Sequence, residues 1–185
     1  MKFFVTGGAG FIGRHLVAKL LHDGHKITIF DNFSSSSKND ISYLLEDGAE
    51  LVTGDILDYN LLLKSISNHD FVIHLAAQTN ILQSITDPET TIDIIVEGTV
   101  NVLKSCVKTN VKGLVSTSSA AVYGNSPDAP ISENSQLSPI SSYGASKLVT
   151  EYNLQAFSRS FGLNCVSLRL FNVYGNGQSS ETVVI

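Results

Sequence analysis

The sequence predicts a doubly wound α/β fold, a mostly parallel sheet with helices on both faces. Three observations carry this. Short apolar runs rich in β-branched residues alternate with longer helical patterns along the whole chain. A glycine-rich turn joins the first run to the first helix, and an aspartate stands just beyond the second run.

The elements follow in order. Residues 2–6 have a continuous apolar centre, Phe3-Phe4-Val5, as a parallel strand covered on both faces requires. Residues 26–30, 50–53, 71–75, 114–117 and 165–170 repeat that character. Helices are expected over 11–22, 59–67, 88–108 and 142–161. Pro88 suits a first helical turn and Asp87 its N-cap. Residues 32–39, with four consecutive serines, and 124–141, with Pro127, Pro130 and Pro139, read as loops. The alternation of strand and helix implies right-handed crossovers.

The chain has 185 residues, 43% hydrophobic and 16% charged, a composition that builds one folded domain. Its formal net charge is -5, which favours neither nucleic acid nor an anionic membrane surface. Cys106 and Cys165 lie far apart and the five histidines are scattered, so no metal site is expected. The cysteines read as core thiols of a reducing, cytoplasmic protein. The apolar start is too short for a signal-peptide core, and no run is long enough to cross a membrane.

The turn Thr6-Gly7-Gly8-Ala9-Gly10-Phe11-Ile12-Gly13 satisfies GxxGxxG through Gly7, Gly10 and Gly13. Glycines there admit a positive φ and let backbone approach a pyrophosphate. The free N–H groups of Phe11, Ile12 and Gly13, together with the helix dipole, would then face that anion. This is the phosphate cradle of a Rossmann sheet, with the required strand before it and helix after it. Asp31 would accept hydrogen bonds from both ribose hydroxyls and repel a 2′-phosphate, which favours NAD over NADP. Lys38 is too far along the chain to serve such a phosphate. Asp55 and Ile56, after the third run, could hold adenine, and Leu75, Ala76 and Ala77, at the end of the fourth, could admit ribose and pyrophosphate. Taken singly, these two segments could equally be ordinary strand ends.

Tyr143-Gly144-Ala145-Ser146-Lys147 is YxxxK at a helix start. Residues four apart share a helix face, so phenol and ammonium can meet one ligand. A free tyrosine titrates near 10, too high for a base at neutral pH. A nearby Lys⁺ and a positive nicotinamide would favour the phenolate. YxxxK alone is common, but here it follows the glycine turn, the aspartate and a serine-rich strand end, residues 116–119. Ser119 could hydrogen-bond the reacting hydroxyl, while most of the neighbouring serines would merely satisfy backbone.

Together TGGAGFIG (6–13), DNFS (31–34), GDI (54–56), HLAAQ (74–78), SSAAVYG (118–124), SYGASK (142–147) and RLFNVYG (169–175) resemble the extended short-chain dehydrogenases/reductases, and within them the NAD-dependent epimerase/dehydratase family. The nearest likeness is to the epimerases of UDP-hexoses. The resemblance implies Gly7, Gly10 and Gly13 at the pyrophosphate, Asp31 and Asn32 at the adenosine ribose, and Asp55 and Ile56 at adenine. It implies Tyr143 as catalytic base, Ser119 as its assistant, and Lys147 on the nicotinamide ribose. Asn172 would reach toward the substrate diphosphate. A cytoplasmic homodimer is the implied assembly. On this reading residues 1–175 form the NAD-binding domain and 176–185 begin a substrate-binding region that the chain lacks.

Two departures stand out. Ile95 replaces the asparagine that often precedes V-x-G-T in the family, so a polar contact is expected to be missing there. The family's later, sugar-binding part is absent, which puts turnover by this chain alone in doubt. The expected activity of the parent protein is nucleotide-sugar epimerisation through a transient keto-sugar, with NAD as cofactor. The alternatives are a 4,6-dehydratase, a reductase, or a non-catalytic NAD sensor. Related dehydratases carry an Asp-Glu pair where this chain has Ala120-Ala121, which ranks that reaction lower.

Overall fold

The computed structural model describes residues 1–126 and 130–178. Pro127 and most of the segment 176–185 lie outside the described residues. Six strands run in parallel: β1 (Lys2–Thr6), β2 (Lys26–Asp31), β3 (Glu50–Thr53), β4 (Phe71–His74), β5 (Gly113–Ser119) and β6 (Cys165–Leu170). Their order across the sheet is β3-β2-β1-β4-β5-β6, the expected Rossmann arrangement. The order reverses between β1 and β4, where a crevice opens beyond the carboxyl ends of the strands.

The near-continuous apolar runs reflect two cores, one on each face of the sheet. Successive strand residues point to opposite faces. Phe4 joins Phe30, Leu62, Val72, Leu103 and Leu114 under α3 (Tyr59–Ile66) and α6 (Gly98–Thr109). Its neighbour Val5 joins Val17, Ile27, Ile29, Ile41 and Leu44 under α1 (Phe11–His22) and α2 (Ser42–Glu46). The sixth strand departs from the buried pattern: Val166 and Leu168 of β6, at the sheet edge, are exposed.

Several boundaries differ from the sequence reading. β2 runs on to Asp31, paired with Thr53, so the aspartate is the last residue of the strand. β4 ends at His74, although Leu75 still donates its N–H to Thr6 O at 3.0 Å. β5 begins at Gly113 and extends to Ser119, which pairs with Leu170. α2 falls just after the serine-rich stretch, and its five residues are too few to show a period. α4 (Ile81–Thr86) also escaped the pattern, because Ile81, Leu82 and Ile85 are exposed and mark no core face.

The helix expected over 88–108 is three pieces: α5 (Pro88–Ile92), a π turn (Asp93–Glu97) and α6. The wider turn precedes a tight contact, where a Cβ on Gly98 would overlap Ile56 Cδ1 and lie 2.8 Å from Ile56 Cγ1. Ile95 lies buried within this turn, so the helix widens there without the family's asparagine. The last helix, α7 (Ser142–Phe161), starts as predicted, capped by Ser141 Oγ, which accepts the Gly144 N–H at 3.1 Å.

Candidate active site

The glycine turn sits at the crevice. Gly7 has φ +68°, and a Cβ there would come within 2.6 Å of Ala76 N and 2.8 Å of Leu75 C. Only glycine lets the turn after β1 lie against the segment after β4. A Cβ on Gly13 would overlap Gly7 O and lie 2.7 Å from Gly8 Cα, so α1 can enter this close only without one. Gly10 is the N-cap of α1 and supplies no side chain to the helix end. The first helical hydrogen bond is Arg14 N–H to Gly10 O at 3.0 Å, which leaves the amides of Phe11, Ile12 and Gly13 ahead of it. A cradle that a Cβ would fill, with uncapped amides at its rim, fits a dinucleotide pyrophosphate.

Asp31 is buried at the end of β2. Its Oδ2 accepts the Ala9 N–H at 3.0 Å and its Oδ1 the Phe33 N–H at 2.9 Å. The carboxylate therefore ties the glycine turn to the loop after β2, and each oxygen keeps a lone pair for a further donor. Asn32 Nδ2 donates to Asp55 Oδ2 at 2.9 Å, joining the segments after β2 and β3. Ile56 is only 5% exposed and packs against Gly98, so its side chain belongs mainly to the core. Leu75, Ala76 and Ala77 are half-buried beside Gly7.

The second cluster forms where α7 meets the end of β5. A Cβ on Gly144 would lie 2.7 Å from Ala121 O, so the helix start presses on the 3₁₀ turn Ala120–Tyr123. That approach brings the Ser119 hydroxyl beside the Tyr143 phenol, where it favours the phenolate. Ser119 Oγ also accepts the Ala121 N–H at 3.2 Å. Burial pushes the Tyr143 pKa above its ordinary 10, and the Ser119 hydroxyl offsets this only in part.

Lys147 is 5% exposed. Its Nζ donates to Thr117 O at 2.9 Å and lies 6.0 Å from the centre of the Tyr143 ring. Burial lowers its pKa to about 8. The expected lowering of Tyr143 by the lysine is thus absent in the chain alone: the ammonium is turned to a strand carbonyl. Asn172 is exposed just past β6. Next to it a cleft of about 430 Å³ separates Phe11, Ile12 and His15 of α1 from Val173 and Tyr174.

Three residues were given no role of their own in the sequence reading: His74 and Glu151, which are buried, and Arg169, which is part-buried. His74 bridges Thr6 and Thr99. Glu151 and Arg169 form a two-pronged pair, Nε to Oε1 at 2.9 Å and Nη2 to Oε2 at 2.8 Å. The Arg169 Nη1 also donates to Tyr123 OH and Glu133 O, both at 2.9 Å. One signal was present: Glu151 follows Lys147 by one helical turn and shares its face.

A family model described as "NAD dependent epimerase/dehydratase family" matches residues 3–185. UDP-glucose 4-epimerase of Corynebacterium glutamicum is 36% identical over 98% of this chain, which spans 55% of that protein. The crystal structure of UDP-glucose 4-epimerase from Thermotoga maritima with UDP-glucose superposes with a TM-score of 0.92 at 33% identity, covering 98% of this chain and 59% of that one. The enzyme of that name from Brucella ovis, in complex with NAD, gives 0.87 at 34% identity over 92% of this chain and 52% of its own. The chain thus spans little more than half the length of the relatives it matches.

Proposed function

The chain belongs to the NAD-dependent epimerase/dehydratase family, and from that premise we propose that it forms the dinucleotide-binding part of a nucleotide-sugar epimerase acting on UDP-hexoses. The observation that carries this reading is the grouping of Ser119, Tyr143 and Lys147, with the Ser119 hydroxyl beside the phenol and the Lys147 Nζ 6.0 Å from its ring centre, at the same end of the sheet as the Gly7–Gly13 cradle. NAD would lie across the crevice, its pyrophosphate on the amides of Phe11, Ile12 and Gly13 and beside Gly7 and Gly10. Its adenosine would meet Asp31, Asn32, Asp55 and Ile56, and Leu75, Ala76 and Ala77 would line the middle.

Bound NAD supplies a hydride acceptor and, once reduced, a hydride donor. The chain's own residues manage the proton and the geometry. With its own proton lost to solvent under the positive charges of Lys147 and a bound nicotinamide, the Tyr143 phenolate takes the proton of the sugar hydroxyl at the reacting carbon, and Ser119 holds that hydroxyl in place. Lys147 binds the nicotinamide ribose and adds positive charge beside the phenol. The keto-sugar turns over and is reduced from its other face, with Tyr143 returning the proton. Asn172 holds the substrate diphosphate. Ala120 and Ala121 offer no groups for the elimination of water, which sets the dehydratase reading aside.

The test titrates this chain with NAD by calorimetry and assays it, and any longer protein that carries it, with UDP-glucose and UDP-galactose. Saturable NAD binding together with interconversion of the two sugars is the expected result. A chain that binds no NAD, or a lack of UDP-sugar epimerisation in every protein that carries it, would overturn the reading.

A further inference from the structure

His74 ends β4 at 3% exposure, and both its ring nitrogens are engaged. Nδ1 lies 2.7 Å from Thr6 Oγ1 on β1, and Nε2 lies 3.0 Å from Thr99 Oγ1 on α6. A threonine hydroxyl has one proton to give. Thr99 gives its proton to Ile95 O at 2.5 Å, so it accepts from His74. His74 therefore carries its proton on Nε2, and the bare Nδ1 accepts the proton of Thr6. The Thr6 oxygen in turn accepts the Ala76 N–H at 3.3 Å. One arrangement of protons satisfies the whole line from the π turn to Ala76. Ala76 is the residue that approaches Gly7 where a Cβ would stand.

We propose that His74 is a positioning residue for the dinucleotide site: in its Nε2–H form it fixes the Thr6 hydroxyl, which holds the Leu75–Ala77 segment against Gly7. This rests on the reading of that crevice as the NAD site. Two further observations support it. The chain keeps a polar ring in a layer whose neighbours, Phe4 and Val72, are apolar and fully buried, although burying such a group costs free energy unless every polar atom is bonded. Burial, helped by the Lys147 charge, also drives the His74 pKa to about 3, so the acceptor at Nδ1 survives across the physiological range.

The experiment uses this chain with ¹⁵N-labelled histidine, together with His74→Phe, His74→Asn and Thr6→Val. His74→Phe removes both ring partners and Thr6→Val removes the same bond from the other side. In His74→Asn the amide oxygen stands where Nδ1 stood and restores the acceptor. NMR is expected to show the Nε2–H tautomer from pH 5 to 9. NAD affinity should fall about tenfold in His74→Phe and Thr6→Val, one lost hydrogen bond's worth, and return to within about threefold in His74→Asn. Hydrogen exchange at the Ala76 amide should speed up in the first two variants while the amides of Val5 and Ile29 stay protected.

An Nδ1–H tautomer would overturn the proposal. So would unaltered NAD affinity and Ala76 exchange in folded His74→Phe and Thr6→Val. If the parent chain binds no NAD at all, the dinucleotide reading fails by itself, and Ala76 exchange still decides whether His74 holds the segment.

Discussion

The Lys147 ammonium donates to Thr117 O at 2.9 Å while standing 6.0 Å from the centre of the Tyr143 ring. The pair shares a helix face, yet in the chain alone it is not poised for proton transfer. Tyr143 is held neutral by burial, with only the Ser119 hydroxyl opposing that shift.

Tyr143 should therefore titrate above 10 in this chain, and binding of NAD⁺ should lower that value by adding positive charge. A phenol whose folded pKa is raised stabilises the fold fully below its unfolded value of about 10, and that contribution is lost as pH rises through the folded value. Ultraviolet difference titration of the chain against Tyr143→Phe reads both effects. If the proposed epimerisation is measured in a protein that carries this chain, Tyr143→Phe should reduce its kcat by roughly 10² or more, with NAD affinity nearly unchanged. Lys147→Ala should weaken both.

His74 links stability to acid. Its folded pKa of about 3 lies below the unfolded value of about 6.5, so the folded state resists taking up a proton. The stability this provides is complete above pH 6.5 and declines as pH falls toward 3, at about 1.4 kcal/mol per pH unit. His74→Phe should flatten that part of the profile, as urea titrations from pH 7 to 4 would reveal. An unchanged acid slope would show that the ring takes up its proton without unfolding.

Cofactor choice rests on Asp31, whose buried carboxylate bridges Ala9 N and Phe33 N. A 2′-phosphate brought to this carboxylate meets a like charge. NAD should bind at least about tenfold more tightly than NADP, and Asp31→Ala should narrow the gap. The same substitution should destabilise the fold by about 1–3 kcal/mol, because it leaves two backbone donors unmatched. Calorimetry with both cofactors and a denaturant titration provide the measurements.

Glu151→Gln should be the more damaging change to the fold. Burial pushes the Glu151 pKa up, but the hydrogen bonds from Arg169 and its charge outweigh that and hold it below the ordinary value. Removing the charge strands a guanidinium that also holds Tyr123 and Glu133 O. A loss of about 3 kcal/mol is expected. Arg169→Lys should recover little of the two-pronged geometry. Equal stability of Glu151→Gln and the parent would show that the pair contributes nothing net.

The sheet was legible because strands covered on both faces leave continuous apolar runs, and Phe4 and Val5 show why both faces matter. The glycine turn was legible because close approach to Ala76 admits no other residue at Gly7. α4 was not, because its apolar side chains face outward and carry no core period. The π turn was not, because the contact it leads into, Gly98 on Ile56, joins segments far apart in sequence. The same distance hid His74, Glu151 and Arg169, whose partners sit on other elements. The orientation of Lys147 toward Thr117 O likewise depends on β5, about which the YxxxK spacing says nothing.

The strand order also sets how the chain must fold. No two neighbouring strands are joined by a hairpin, and every pairing is parallel. The central one brings Phe3 to Phe71, so β1 must wait for β4 while β2 and β3 intervene. Each such closure gives up chain entropy before any contact is gained. The widest of these closures in sequence is the meeting of β1 with β4, the two strands that flank the crevice, so the dinucleotide cleft is made by the most distant strand pairing of the sheet.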